Sequence, residues 1–334
     1  MRKLNILFRI SGGKAPGKEL GYGHVFRSMN LAYFFKKHNI WFLLEDYGGV
    51  KRILIKNGFK NIINLRCNSS FDEDVKKTIA SIEKNKIDFV INDVYKVNNN
   101  YLKEIRKITK IILITDLKKY RYSADLIVNG FVGFKNKIIL DEKRKILLGP
   151  RYQILDYRFS KCKKNNPKND LLVTFGGFDE NNITEIFLEE LIKFDGKIKT
   201  KIIHGPSSIK TKRIKYIERK FGKKFSIVPY GDMFKEISQT RFGLCSGGIT
   251  TYEFASQGVP FAIISQVKHQ NLTANIWERK KICTNLGNVD HNTGKKISKY
   301  LEYVVTSNEK MSTKPIKIDG GKIVYDEIIK LVEK

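Results

Sequence analysis

The 334-residue sequence is 41% hydrophobic and 11% aromatic and carries a formal charge of +29. That length suits two domains with full cores, and no apolar run approaches the roughly 20 residues of a membrane span. The four cysteines (Cys67, Cys162, Cys245, Cys283) lie far apart, which argues against a zinc site or a disulfide framework and for a reducing, cytoplasmic setting.

The charge favours polyanionic partners. Its lysines, however, are scattered through nearly every predicted helix and loop, with no aromatic-interleaved basic cluster. A solvated basic surface is therefore expected, with no specific nucleic-acid partner. Weak attraction to an anionic membrane is the association the charge leaves open, and the chain is expected to be a monomer.

In chain order, residues 4–8 form an apolar run broken by Arg9 and followed by Ser11-Gly12-Gly13. This reads as a first β-strand and not as a signal peptide. Further apolar runs at 40–44, 62–65, 89–91 and 111–114 read as buried parallel strands, and the segments between them have helical spacing, as in Val25, Met29, Ala32 and Phe35. A weaker strand is expected at 126–128. The rhythm breaks near 147–152, and the polar stretch 160–170 has the composition of a linker. Alternation then restarts, with strands at 171–175, 201–204, 226–229, 242–245 and 261–265. The fold class is thus α/β: two Rossmann-like, doubly wound domains, 1–155 and 168–334, with neither a repeat nor a low-complexity tract. Open α/β sheets bind ligands at the carboxyl ends of their strands, so the expected site is a cleft between two such domains.

Several strand-end loops have the makings of a site. Gly21-Tyr22-Gly23-His24 leads from the first strand into a helix. A histidine at a helix N-terminus has its imidazolium disfavoured by the dipole, so His24 suits a general base; a packing or capping histidine is the structural alternative. After the strand at 89–91, Asp93 and Tyr95 are placed to meet sugar hydroxyls, while Asp93 serves equally well as a helix cap. Thr115-Asp116 is a weaker copy of that arrangement. In the second half, Gly176-Gly177 and Ser246-Gly247-Gly248 are glycine turns ahead of helices, suited to phosphate; for Ser246-Gly247-Gly248, a turn that only lets strand and helix pack closely is the structural alternative. Ile249 and Thr250 open the second of these helices, and Glu253 lies one turn along it, within reach of hydroxyls beside a phosphate. Gln270 and Asn271 add amides at another helix start. No Gly-Lys-Ser/Thr accompanies these turns, and neither half has Gly-x-Gly-x-x-Gly after its first strand, which argues against an ATP P-loop and a nicotinamide dinucleotide. No cofactor and no metal is expected.

Taken together, Gly21-Tyr22-Gly23-His24-Val25-Phe26-Arg27-Ser28, Asp93-Val94-Tyr95, Ala124 to Asn129, Phe175-Gly176-Gly177-Phe178-Asp179, and Ser246 to Glu253 with Gln270 resemble the glycosyltransferase-B superfamily. Within it the chain is most similar to the nucleotide-sugar hydrolase of pseudaminic acid biosynthesis and to the spore-coat polysaccharide proteins. It departs from that pattern in the long loop 11–20, in the single acid of Thr115-Asp116-Leu117 and in Phe178. The resemblance implies a UDP-sugar held mainly by the C-terminal domain, with diphosphate at the two glycine turns and ribose near Glu253. It further implies that His24 assists water in attacking the anomeric carbon of a UDP-linked diacetamido-trideoxyhexose, releasing UDP with inversion. The final helix, 321–332, is expected near the domain junction, as in the superfamily. Transfer to a sugar or lipid-linked acceptor is the main alternative, and a non-catalytic nucleotide-sugar binder is another.

Overall fold

The computed structural model describes residues 2–14, 21–141, 144–161, 167–307 and 313–333; the expected linker thus lies partly outside the described residues, as do Cys162 and most of the long loop. The chain divides into two compact units, Met1–Tyr157 with Ile318–Lys334, and Arg158–Lys317.

In the first unit, strands β1 (Asn5–Gly13), β2 (Asn39–Tyr47), β3 (Ile62–Leu65), β4 (Phe89–Asp93), β5 (Lys110–Thr115), β6 (Leu126–Asn129), β7 (Lys137–Asp141) and β8 (Arg144–Leu148) alternate at first with helices α1 (Gly23–Phe34), α2 (Val50–Lys56), α3 (Phe71–Asn85) and α4 (Asn99–Arg106). They form one sheet in the order β3-β2-β1-β4-β5-β6-β8-β7. All pairings are parallel except β7 with β8. Period-two alternation sorts the side chains onto two faces. Phe8, Ile10, Phe42 and Ile91 pack under α1, while Leu7, Leu43, Val90 and Leu113 pack against α3 and α4.

β1 runs five residues beyond its apolar stretch, because Arg9 does not end it. Arg9 is 4% exposed and its guanidinium donates to Asp74 on α3 (Nη2–Oδ2 2.9 Å) and to Glu45 on β2 (3.3 Å). A charge paired in this way can sit in a sheet, and β1 keeps its register with β2 as far as Gly13 and Tyr47. A Cβ at Gly12 would come within 2.4 Å of Val25, so glycine there is what lets α1 close onto the strand end.

The second unit contains β9 (Asn169–Thr174), α5 (Ile183–Lys193), β10 (Thr200–His204), α6 (Lys212–Phe221), β11 (Phe225–Pro229), α7 (Met233–Ile237), β12 (Thr240–Cys245), α8 (Thr250–Gln257), β13 (Phe261–Ser265), α9 (Lys268–Arg279), β14 (Cys283–Asn288) and α10 (Thr293–Thr306). Its six parallel strands run β11-β10-β9-β12-β13-β14. The last helix, α11 (Gly320–Val332), belongs to the first unit, where Val324 and Ile328 join the core under α1. The two expected doubly wound sheets are present, each with strands added in one direction and then in the other. The reversal falls between β1 and β4 in one unit and between β9 and β12 in the other. Sheets of this kind bind ligands at such reversals, beyond the strand carboxyl ends.

Candidate active site

In the first unit the reversal is occupied by charge. β4 ends on Asp93, which is wholly buried and in register with Ile10 of β1. α1 begins across from it and presents His24, Arg27 and Ser28 on one side, the i, i+3, i+4 spacing that stacks side chains along a helix face. His24 Nδ1 lies 2.7 Å from Asp93 Oδ1. Arg27 reaches the same carboxylate twice, Nε to Oδ2 at 2.9 Å and Nη2 to Oδ1 at 2.5 Å, and Ser28 Oγ donates to Oδ2 at 3.2 Å. Arg27 Nη1 extends to Asp116 Oδ2, 3.0 Å away at the end of β5. The Asp116 side chain is 45% exposed, whereas that of Arg27 is 3% exposed.

These contacts bias the proton's position. Burial raises the Asp93 carboxyl, but the Arg27 guanidinium and then His24 outweigh it and hold it down at about 2. An ionised carboxylate only accepts hydrogen bonds, so Nδ1 of a neutral His24 must carry the proton it donates to Asp93. The 3.0 Å approach of Arg27 Nη2 to the same Nδ1 follows from two N–H groups converging on one oxygen. The lone pair then resides on Nε2, which has no partner among the described residues. A carboxylate that fixes the tautomer and orientation of a histidine is the arrangement that prepares a general base.

Of the residues marked out in the sequence, the structure brings His24, Asp93 and Asp116 into this cluster. Asp93 does not cap α4, whose N-cap is Asn98. Tyr95 lies two residues past it in a half-buried bend. Gly21 and Gly23 flank the start of α1, and a Cβ at either would meet nothing within 4 Å. Neither packing nor a left-handed φ asks for glycine there, so both leave open room beside their amides. In the sequence Arg27 and Ser28, one turn beyond His24, stand only as the end of the Gly21 to Ser28 motif; their i+3 and i+4 spacing from His24 is the signal that places them in the cluster. Asn129, wholly buried at the end of β6, supports the Asp116 loop by donating to the carbonyls of Leu117 (2.7 Å) and Lys119 (3.2 Å).

The second unit has backbone at its reversal. The loops after β9 and β12 are neighbours, since Thr174 is in register with Cys245, and an added Cβ at Gly176 would lie 3.5 Å from Ser246 Oγ. Gly176 has φ +83°, open to glycine. At Gly247 a Cβ would come within 2.7 Å of Gln270 Cβ and of its carbonyl oxygen, whereas at Gly248 it would meet open space. Thr251 pins the turn, donating to the Gly248 carbonyl (2.8 Å) while accepting from the buried Trp277 indole (3.1 Å). α8 starts from Ile249 and Thr250 without a side-chain cap, so no N-cap side chain takes up its first amides. Glu253, in its first turn, is 6% exposed.

α5 differs. Asp179 accepts from the amides of Ile183 (2.9 Å) and Thr184 (2.8 Å). The helix N-terminus behind Gly176-Gly177 is therefore already filled by an internal carboxylate, and that turn offers only its own backbone. Gln270 is tied inward, its Oε1 accepting from Gln266 N (2.9 Å), while Gln266 Nε2 donates to the Phe175 carbonyl (2.8 Å). This links the loops after β9 and β13. Asn271 Oδ1 accepts from Asn285 at 3.4 Å. Ser265 Oγ and Gln266 Oε1 remain buried without a partner at the end of β13. Among the described residues no group of three or more His, Cys, Asp or Glu side chains is arranged to hold a metal, and no helix is long and apolar enough to cross a membrane.

Comparison with known proteins agrees with this architecture. No protein-family model matches the chain. It is 31% identical over 271 residues to MJ1062, an uncharacterized protein of Methanocaldococcus jannaschii, in a match covering 74% of this chain and 54% of that protein. The chain thus spans about half the length of that relative. It is 27% identical over 286 residues to SpsG, a spore coat polysaccharide biosynthesis protein of Bacillus subtilis, covering 81% of each. Among solved structures it is similar to MurG of Acinetobacter baumannii (TM-score 0.66, 13% identity, 98% of this chain and 99% of that one). It is also similar to MnaA of S. aureus, solved with UDP (0.59, 10%, 99% and 97%), and to the glycosyltransferase SnogD of Streptomyces nogalater (0.58, 10%, 99% and 100%). The chain has the glycosyltransferase-B fold.

Proposed function

We propose that the chain is a nucleotide-sugar enzyme of surface-polysaccharide formation, and that it hydrolyses a UDP-linked sugar. The observation that carries this reading is the Asp93–His24 pair, which leaves one imidazole nitrogen, Nε2, as a positioned base. The turn at Gly247-Gly248 and the uncapped start of α8 support diphosphate binding. MnaA, of the same fold, was solved with UDP, and SpsG is named for polysaccharide biosynthesis.

The reaction runs as follows. His24 Nε2 takes a proton from water as the water oxygen bonds to the anomeric carbon. The bond from that carbon to the diphosphate oxygen breaks, and UDP leaves with the electron pair, its charge met by backbone amides and the helix dipole. Attack opposite the leaving group inverts the anomeric centre. The diacetamido-trideoxyhexose implied by the sequence resemblance is the sugar proposed. Transfer to an acceptor hydroxyl uses the same base, and the fold shared with the glycosyltransferase SnogD favours keeping it as the second reading.

The test is a panel of UDP- and CMP-sugars assayed for free nucleotide, with and without acceptor. Hydrolysis predicts UDP release from the wild type in water alone. In His24→Asn, kcat should fall by about 10²–10⁴-fold, the usual share of a general base, with UDP affinity unchanged. Release only on adding an acceptor establishes transfer instead, and near-normal turnover in the variant removes His24 from the chemistry.

A further inference from the structure

A second constellation lies at the amino ends of β2 and β3, the opposite edge of the sheet from Asp93. There the fold gathers Trp41, Lys60, Asn61, Lys77, Ser81 and Lys84 around a hollow of about 340 Å³, within the size range of ligand pockets. Lys77, Ser81 and Lys84 follow one another at i, i+4 and i+7 along α3, and Lys60 comes from the turn before β3. None of the three ammonium groups has a partner among the described residues. Of the acids of α3, Asp72, Glu73 and Asp74 lie in its first turn, at the other end of the helix, and Glu83, beside Lys84 in the last turn, does not line the hollow. Lys84, in the last turn, answers the helix dipole, but that does not account for Lys60 or Lys77. Three like charges around one hollow repel one another until an anion enters.

The neutral groups narrow the choice of anion. Trp41 is partly buried and packs against the core, and it still lines the hollow. Asn61 uses its amide N–H₂ on the Ile40 carbonyl (3.1 Å), which leaves its Oδ1 as an acceptor. Ser81 Oγ donates to the Lys77 carbonyl (2.7 Å) and keeps its lone pairs. One aromatic ring, two hydroxyl-accepting oxygens and three cations match a pyranose ring bearing a carboxylate. A single indole in a concavity does not match a base stack, which needs successive rings, nor a flat bilayer surface. We propose that this hollow binds an acidic saccharide, a uronate-bearing segment of a glycan polymer.

Trp277 is fully buried, and the chain has two tryptophans, so Trp41 is the emitter a ligand here would perturb. The experiment titrates the full chain with tetragalacturonate, galacturonic acid, maltotetraose, a DNA duplex and phosphatidylglycerol vesicles, following tryptophan emission and calorimetry. Tetragalacturonate should bind and quench, maltotetraose should not, and the uronate monomer separates a single-sugar ligand from a polymer segment. The triple variant Lys60→Gln, Lys77→Gln, Lys84→Gln should lose at least about tenfold in affinity, the scale of one charge-assisted hydrogen bond. A control triple on α6 (Lys212→Gln, Lys215→Gln, Lys220→Gln) should lose none. Trp41→Leu, whose charge is unchanged, should weaken binding and abolish the quench; if it misfolds, the lysine triples decide alone. Equal losses in both triples, no uronate binding, or tighter binding of DNA or vesicles to the wild type would overturn the proposal.

Discussion

Where the strand order of the first unit reverses, the chain buries a carboxylate between a guanidinium and an imidazole; where the second unit reverses, it leaves glycine backbone and an uncapped helix start. The two sheets share the order of their first six strands, so topology does not make the difference. Side chains make it. Under the proposed reading, Asp93, Arg27 and His24 supply a proton acceptor in one unit, while the Gly247-Gly248 turn and the start of α8 supply partial positive charge in the other. A proton acceptor and an anion holder are the two parts that displacement of a nucleotide from a sugar requires.

This contrast can be broken from either side. The largest expected effect is at Asp93. Asp93→Asn leaves the buried Arg27 without its main counter-charge and should destabilise the protein by about 3–5 kcal/mol in urea unfolding, besides lowering kcat through loss of the imidazole's orientation. The pH dependence has a definite sign. The folded carboxyl lies at about 2, below the roughly 3.9 of an unfolded aspartate. Between those values the unfolded chain binds more protons, so wild-type stability falls as pH falls. The gap between wild type and variant should therefore narrow from about pH 4 towards pH 2; a gap that stays constant would mean that Asp93 is not ionised in the fold.

At the second unit's site, Glu253→Gln should weaken UDP binding by about 1.5–3 kcal/mol, the scale of a charge-assisted hydrogen bond, with turnover at saturating substrate much less affected. Calorimetry showing the same affinity would remove Glu253 from the nucleotide site. A smaller and more discriminating effect separates two adjacent glycines. Gly247→Ala drives a methyl into Gln270 and should cost about 1–3 kcal/mol of stability by overpacking. Gly248→Ala projects into open space and should leave the melting temperature alone while weakening UDP binding. If both variants melt alike and bind alike, the turn is a packing device only.

How legible these features were in the sequence follows from the physics of each residue. The buried strands of both units could be read because their apolar runs have no other stable place. β7 and β14 could not: β7 is largely exposed at a sheet edge, and β14, Cys283–Asn288, is mostly polar and also at an edge, while the short buried run of β8 at 146–148 is the exception among the buried strands. Edge strands need only one apolar face. Arg9 looked like a strand terminator, because its neutralising carboxylates come from residues 36 and 65 positions away. His24 and Asp93 each stood out beside a strand end, but their pairing spans 69 residues, and so the role of Asp93 stayed open between hydroxyl contact and helix cap. The phosphate expectation at Gly176-Gly177 rests on the turn alone, and the turn does not announce that Asp179 accepts from the amides of Ile183 and Thr184 behind it. Trp41 and its lysines, far apart in sequence, showed no clustering at all until β3 and α3 brought them together.

The central claim is that Asp93 fixes His24 with its proton on Nδ1 and its lone pair on Nε2. Nitrogen-15 NMR of the imidazole at alkaline pH tests this without any substrate. The account predicts that His24 Nε2 resonates as an unprotonated, pyridine-type nitrogen and Nδ1 as a protonated one coupled to its hydrogen, with that preference lost in Asp93→Asn. A His24 ring protonated on Nε2 in the wild type would contradict it.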